Sequence, residues 1–267
     1  MKAAVLQFNI QSGDVEGNRK KASDLIIQAA EQGAELVLLP ELWNCGYALD
    51  RLSELAETSR GSSIRMLQKL AKKNNLFIIG GSIGEKKDGK FFNTSFAINQ
   101  EGNIVSKYRK VHLFSLGLEE HKYFSPGGEW VLTQTPWFTV GMMVCYDLRF
   151  PEFARNLVMR GARLLTIPAQ WPTSRETDWR ILCQARAIEN QCFVMSANRT
   201  GTDINGLEYN GASLIINPWG RIVVDAKDKS GAFVAELDLS MLEEENQKID
   251  VFGDRRAILD EIDDSQI

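Results

Sequence analysis

Cys145, Lys110, Glu41 and Glu120 are the side chains whose types and positions could together do chemistry. A cysteine thiol titrates near ~8.5, so at neutral pH it becomes a nucleophile only beside a base or a cation. Glu41 closes the run Leu38-Leu39-Pro40-Glu41 directly after an apolar strand, where a carboxylate enters a low-dielectric site and can act as a base. Lys110 ends the run Ser106-Lys107-Tyr108-Arg109-Lys110 and could supply positive charge for a thiolate and for a tetrahedral oxyanion. The backbone N–H of Tyr146 could complete the oxyanion hole, each such donor lowering the barrier by roughly 3 to 4 kcal/mol. Glu120 stands in a Gly117-Leu118-Glu119-Glu120-His121 loop, and Glu119 beside it is an equal candidate on sequence alone. Read singly, each has a plainer explanation: a small buried hydrophobe for Cys145, a helix cap for Glu41, a solvated edge lysine for Lys110, a surface acid for Glu120. Only the combination supplies a nucleophile, a base and a cation.

These residues need elements to hold them. Trp137 to Val144 reads as a buried strand and Pro151-Glu152 as the first turn of a helix to about Arg160, which sets Cys145 at a strand-to-turn corner. Such a corner pushes a side chain out of the ladder at the strand's end, where open α/β sheets place their ligands. Lys2 to Asn9, a helical face over Asn18 to Gln32, and the apolar run Glu35 to Leu39 predict a β-α-β opening with a parallel pair covered on both faces. A helix over Ile64 to Asn75 precedes a strand over Leu76 to Ile83. A hairpin follows, from Phe91 to Asn99 and Asn103 to Lys110. Further on, the pattern predicts a strand Ala162 to Pro168, a helix Glu176 to Gln191 and a strand Cys192 to Ala197. A second hairpin joins Ala212 to Asn217 with Arg221 to Ala226, and the last strand is Gly231 to Asp238. That is more strand than one doubly wound sheet needs, so the expected architecture is two packed sheets with helices outside each. Leu239 to Lys248 reads as a short charged helix and Asp254 to Ile267 as a polar tail.

With 267 residues, 44% hydrophobic and 25% charged, the chain is expected to form one domain over 1–267 with a core deep enough for several layers. Net charge is −4 with scattered Lys and Arg, which leaves no footprint for nucleic acid or an anionic membrane. No stretch approaches the ~18 to 20 apolar residues of a membrane span, and Met1 to Ile10 lacks a signal-peptide pattern, so a cytoplasmic protein is expected. Cys45, Cys145, Cys183 and Cys192 show no C-x-x-C spacing, and only His112 and His121 could join them, so neither a metal site nor disulfides are expected.

Three stretches resemble the nitrilase superfamily, the carbon–nitrogen hydrolases. They are Gly33-Ala-Glu-Leu-Val-Leu-Leu-Pro-Glu41, Tyr108-Arg-Lys-Val-His-Leu-Phe114 and Val144-Cys-Tyr-Asp-Leu-Arg-Phe-Pro-Glu152. The similarity continues to Asn217-Pro-Trp-Gly220 and Asp254-Arg-Arg256. It implies a Glu41-Lys110-Cys145 triad, a second glutamate at Glu120 that positions substrate, and an αββα sandwich without metal or cofactor. It also implies a homodimer formed partly through the C-terminal tail. The Cys-Tyr-Asp-Leu-Arg-Phe and Asp-Arg-Arg stretches are most similar to the ω-amidase branch, which hydrolyses ω-amides of small dicarboxylic acids. The Trp43-Asn-Cys-Gly-Tyr47 loop departs from the vertebrate pattern of that branch. Nitrilase, aliphatic amidase and N-carbamoyl hydrolase activities are the alternatives on the same fold, and a binding protein whose catalysis had decayed is the alternative of a different class.

An ω-amide of a dicarboxylic acid carries a second, free carboxylate, and arginine's planar fork matches it best. Arg149, just past Cys145, and Arg175, in the loop after the Ala162 to Pro168 strand, are the candidates, though Arg149 could simply pair with Glu152 or another acid. Trp43, Tyr47 and Trp171 would wall a small, dry pocket, with Tyr146 beside the substrate. Other motifs compete. Gly80-Gly-Ser-Ile-Gly84 fits a serine nucleophile elbow but lacks a following helix, and a Cys145–His112 pair would leave Glu41 and Lys110 unexplained. Asn93-Thr-Ser95 and Asn198-Arg-Thr200 match glycosylation sequons and are taken as chance matches.

Overall fold

The computed structural model describes residues 1–117, 119–243 and 249–256. In chain order it contains β1 (Lys2–Gln7), α1 (Val15–Glu31), β2 (Leu36–Leu38), α2 (Leu52–Leu55), α3 (Ser62–Asn74), β3 (Phe77–Ile79), β4 (Ile83–Lys87), β5 (Lys90–Ile98) and β6 (Ile104–Arg109). The second half adds β7 (Leu132–Gln134), β8 (Thr139–Met142), α4 (Pro151–Met159), β9 (Leu164–Pro168), α5 (Glu176–Asn190), β10 (Phe193–Ala197), β11 (Thr200–Thr202), β12 (Glu208–Asn210), β13 (Leu214–Ile216), β14 (Ile222–Asp225) and β15 (Gly231–Glu236).

A seven-stranded sheet has the order β15-β1-β2-β3-β5-β4 with β6 also on β5, and a six-stranded sheet has the order β14-β13-β10-β9-β8-β7. Both are mixed: β1, β2 and β3 run parallel, as do β8, β9 and β10, while the outer strands pair antiparallel. Period-two alternation along β1 decides the layering. Ala3 and Val5 enter the core shared with the second sheet, and Ala4 and Leu6 enter the core under α1 and α3. On the other side, Phe153 and Leu157 of α4 and Trp179, Cys183 and Ala187 of α5 cover the second sheet. The expected αββα sandwich of two mixed sheets is therefore the observed one. Glu41 follows β2 of the first sheet and Cys145 follows β8 of the second, so the base and the nucleophile come from different sheets.

Several expectations on elements need correction. The strand expected over Leu76 to Ile83 is broken: β3 stops at Ile79, and Gly80 and Gly81 turn the chain into a separate strand β4. Lys86 and Lys87 lie at the end of β4 facing water, and Asp88 and Gly89, both at positive φ, make the turn to β5. The Trp137 to Val144 strand shrinks to Thr139–Met142, and β7, β11 and β12 were not anticipated. The helix expected over 239–248 falls partly outside the described residues, and so does most of the C-terminal tail.

Candidate active site

Glu41 follows β2 in a loop that the sharp turn at Gly81 braces. Gly81 has φ +59, and a Cβ there would sit 2.0 Å from the carbonyl oxygen of Pro40, so only glycine lets the two loops touch. Ser82 N–H donates to Pro40 O at 3.1 Å, and Leu42 N–H donates to Ser82 Oγ at 2.9 Å. The Gly-Gly-Ser-Ile-Gly stretch thus acts as a brace for the glutamate loop; its serine is fully buried, and a strand rather than a helix follows it. Lys110 is delivered by β6: its N–H donates to Asn93 O at 2.9 Å, and its carbonyl accepts from Gly127 N–H at 2.8 Å. Cys145 opens a short 3-10 turn, Cys145–Arg149, at the end of β8, with φ +46. A non-glycine residue pays strain in that region, a cost that recurs where a side chain is held for function.

Asp147 locks this turn and was not foreseen. Fully buried, it accepts from Val144 N–H at 2.8 Å and Tyr108 O–H at 2.6 Å through Oδ2, and from His112 N–H at 3.0 Å through Oδ1. His112 Nδ1 also lies 2.8 Å from Asp147 Oδ1, and its ring stacks on Phe150 at 3.6 Å. His112 is thereby committed to bracing the turn, and the thiol-protease pairing with Cys145 is not formed.

The four chemical residues converge, all buried. Lys110 Nζ donates to Glu41 Oε1 at 2.8 Å and to both oxygens of Glu120, at 3.0 and 2.8 Å. Glu120 is the acid chosen over Glu119, which lies exposed against Lys122. Glu120 is pinned further by Phe114 N–H at 2.8 Å. Glu41 also accepts from Asn93 Nδ2 at 2.8 Å and from Gln170 N–H at 2.9 Å. Tyr47 O–H lies 3.3 Å from an oxygen of each carboxylate. The thiol of Cys145 lies 4.0 Å from the carbonyl of Gln170, and the charge of Glu41 acts on it.

The electrostatics follow from one cation among two carboxylates in a water-poor site. Burial, followed by the charge of Glu41, pushes the Cys145 thiol well above its ordinary value, and Lys110 offsets this only in part. The resting sulfur is therefore a thiol, and a base is needed to generate the nucleophile. Burial raises Glu120 as well, against the pull of Lys110. Burial would lower Lys110, but Glu120 and Glu41 more than compensate and hold it well above the usual lysine range, so it remains an ammonium at every working pH.

A tight pocket opens over the sulfur, with a cavity volume of about 40 Å³, far below the several hundred of a typical drug-sized site. Its lining includes Tyr47, Phe114, Tyr146, Trp171, Leu207 and Tyr209, together with Arg149 and Arg175. Arg149 pairs with Asp178 at 2.7 Å and lies over the Trp171 ring at 4.8 Å, whereas Arg175 approaches the same aspartate only to 3.9 Å. Trp43 does not belong to this pocket. Leu42 takes φ +42, which turns the next side chain inward, and the fully buried indole donates to Gly80 O at 2.8 Å beneath the first sheet.

Comparison with known proteins agrees with this geometry. The family model described as carbon-nitrogen hydrolase matches residues 2–247. A 2-oxoglutaramate amidase of Bacillus subtilis is 41% identical, covering 95% of this chain and 97% of the relative. An omega-amidase of Homo sapiens is 35% identical over 96% of this chain and 95% of its own. Among solved structures, a CN-hydrolase superfamily protein from Xanthomonas campestris with an arsenic adduct in the active site superimposes with a TM-score of 0.90 at 30% identity, over 96% of this chain and 97% of that one. A match that runs through all three motif stretches, on the same two-sheet scaffold, shows that the chain belongs to the carbon–nitrogen hydrolase family.

Proposed function

We propose that the protein hydrolyses the ω-amide of a small dicarboxylic acid, such as 2-oxoglutaramate or succinamate, through an acyl-thioester on Cys145. The observation that carries this reading is the buried Glu41–Lys110–Glu120 cluster, whose charges act on the Cys145 thiol at the floor of a small pocket. The Sγ atom attacks the amide carbon while its proton passes to Glu41. Lys110 Nζ and the N–H of Tyr146, in the first turn of the 3-10 helix where N–H groups lack helical partners, meet the oxyanion. Collapse breaks the C–N bond as Glu41 returns the proton to the leaving nitrogen, giving ammonia. Water then attacks the thioester, its proton going to Glu41, and the acid leaves as the thiol re-forms. Glu120 holds Lys110 in place throughout.

The names of the relatives support an ω-amide substrate, and so do the two arginines in the pocket lining. Among the described residues Arg149 and Arg175 share a single carboxylate, Asp178, which favours one of the two for the substrate's free carboxylate. Arg175, the more weakly engaged of the two, is the side chain we assign to it, with Tyr47 and Trp171 as walls. Ammonia release from succinamate, butyramide, a nitrile and an N-carbamoyl compound tests this. Succinamate should lead by kcat/KM, and Arg175→Met should erase its advantage over butyramide. Equal kcat/KM for the two amides in the parent enzyme would refute carboxylate recognition.

We also read residues 1–267 as one catalytic domain that works in the cytoplasm as a homodimer. Exposed Met159 on α4 and exposed Ile181 and Ile188 on α5 support a second copy covering that face. No helix among the described residues is long and apolar enough to cross a membrane.

A further inference from the structure

Arg199 is one of the largest fully buried side chains in the molecule, and the chemistry above does not use it. Its hydrogen-bond partners are neutral oxygens: Thr200 O at 3.2 Å from Nε, Gln170 Oε1 at 3.0 Å from one terminal nitrogen, and Ile10 O at 2.7 Å, Asn9 Oδ1 at 3.1 Å and Thr202 O at 3.4 Å from the other. The guanidinium also lies 4.6 Å over the Tyr209 ring. Burying a cation without bonding it to a carboxylate is costly, so its place in the fold calls for an explanation.

That explanation lies one residue away. Gln170 N–H donates to Glu41 Oε2 at 2.9 Å, and Gln170 Nε2 donates to the Glu41 carbonyl at 2.9 Å, so a single glutamine holds the base at its carboxylate and at its backbone. An amide can be turned either way round. Arg199 removes the choice: it carries only donors, so the amide oxygen must face it and the NH2 must face Glu41. The carbonyl of the same glutamine stands 4.0 Å from Cys145 Sγ. Asn198 clamps the next residue in the same manner, accepting from Trp171 N–H at 2.8 Å and donating to Trp171 O at 3.0 Å. The clamp exists because β9 and β10 run parallel, with Pro168 opposite Ala197, so the loops that leave them lie side by side. The Asn198-Arg199-Thr200 sequon is thus internal machinery, its asparagine only 3% exposed.

We propose that Arg199, acting through Gln170, is the positioning residue that holds Glu41 in register with Cys145. The inference rests on the catalytic reading above for its turnover consequence but not for its geometric one. Displacing a base by a fraction of an ångström to an ångström costs up to about a hundredfold in rate.

The test compares the parent, Arg199→Met, Glu41→Gln and the double variant in two assays. In turnover of succinamate, Arg199→Met should lower kcat by about 10- to 100-fold while KM stays within about threefold. In alkylation of Cys145 by iodoacetamide at neutral pH, Arg199→Met should slow the parent reaction and add nothing once Glu41 is glutamine, because the base it positions is already gone. A purely structural arginine would slow alkylation equally in both backgrounds, and that result, or no slowing in either, overturns the inference. If Arg199→Met does not fold, Gln170→Met, which leaves the bonds of Arg199 to Asn9 and Ile10 in place, makes the same comparison. Absence of amide turnover in the parent would sink the functional reading alone, since the alkylation comparison needs no substrate.

Discussion

Replacing Lys110 by methionine tests whether the cation is held in a structural as well as a chemical balance. Its ammonium makes three hydrogen bonds of 2.8 to 3.0 Å to two carboxylates, and all three side chains are wholly buried. Methionine fills a similar volume but leaves Glu41 and Glu120 facing each other without a counter-charge. Removing one partner of a buried ion pair costs about 3 to 5 kcal/mol, which in a chain of this size lowers Tm by about 6 to 20 °C. Part of that loss is relieved if Glu120, whose carboxyl burial already pushes up, takes a proton. The decisive variant is therefore Lys110→Met with Glu120→Gln. It removes one negative charge along with the positive one, and should recover most of the Tm lost while restoring no amidase activity. Differential scanning fluorimetry and ammonia release on the two variants measure this. A single variant melting within about 1 °C of the parent, or a double variant melting no higher than the single one, would refute the balance argued here.

Two other consequences are independent of that cluster. Gly81→Ala places a methyl group against the Pro40 carbonyl at a positive-φ position, and the Glu41 loop must yield. Turnover should fall at least about tenfold with most of the thermal stability kept, and unchanged kcat would show that the loop contact does not set the base. Glu85 is buried against Thr94, Lys107 and Arg109; burial pushes its carboxyl up, but the two cations pull it further down, leaving it below the usual carboxylate range. A lowered folded-state value contributes stability above the unfolded value near ~4.3, lost as pH falls through the folded one. The Tm gap between the parent and Glu85→Gln should be full at pH 7 and close on acidification, and a gap that stays constant down to pH 3 would contradict it.

The sequence made Cys145, Glu41 and Lys110 legible because a cysteine at a strand-end corner, a glutamate after a buried strand and a lysine after a hairpin are each local patterns, whereas only the family resemblance separated Glu120 from Glu119. The two-sheet sandwich was legible from strand number. The residues that aim those four were not. Asn93, Gln170 and Arg199 act over 52, 129 and 29 positions in sequence respectively, through contacts between distant strands and between the two sheets that no local pattern records. Asp147 sits beside the nucleophile but reads as an ordinary turn acid until Tyr108, Val144 and His112 close around it. Trp43 misled by adjacency: two residues from the base in sequence, it is turned away by the backbone at Leu42. Arg149 and Arg175 could be named as a pair, but only the shared Asp178 separates their engagement.

The central claim is covalent. Rapid mixing of the enzyme with succinamate, acid quench and mass measurement of the intact chain and its peptides should show the succinyl acyl group on the peptide carrying Cys145, forming with the burst of ammonia and decaying as succinate appears. It should be absent in Cys145→Ala, which should remain folded and inactive. Undiminished ammonia release by Cys145→Ala, or an acyl group carried by any other residue, would contradict the account.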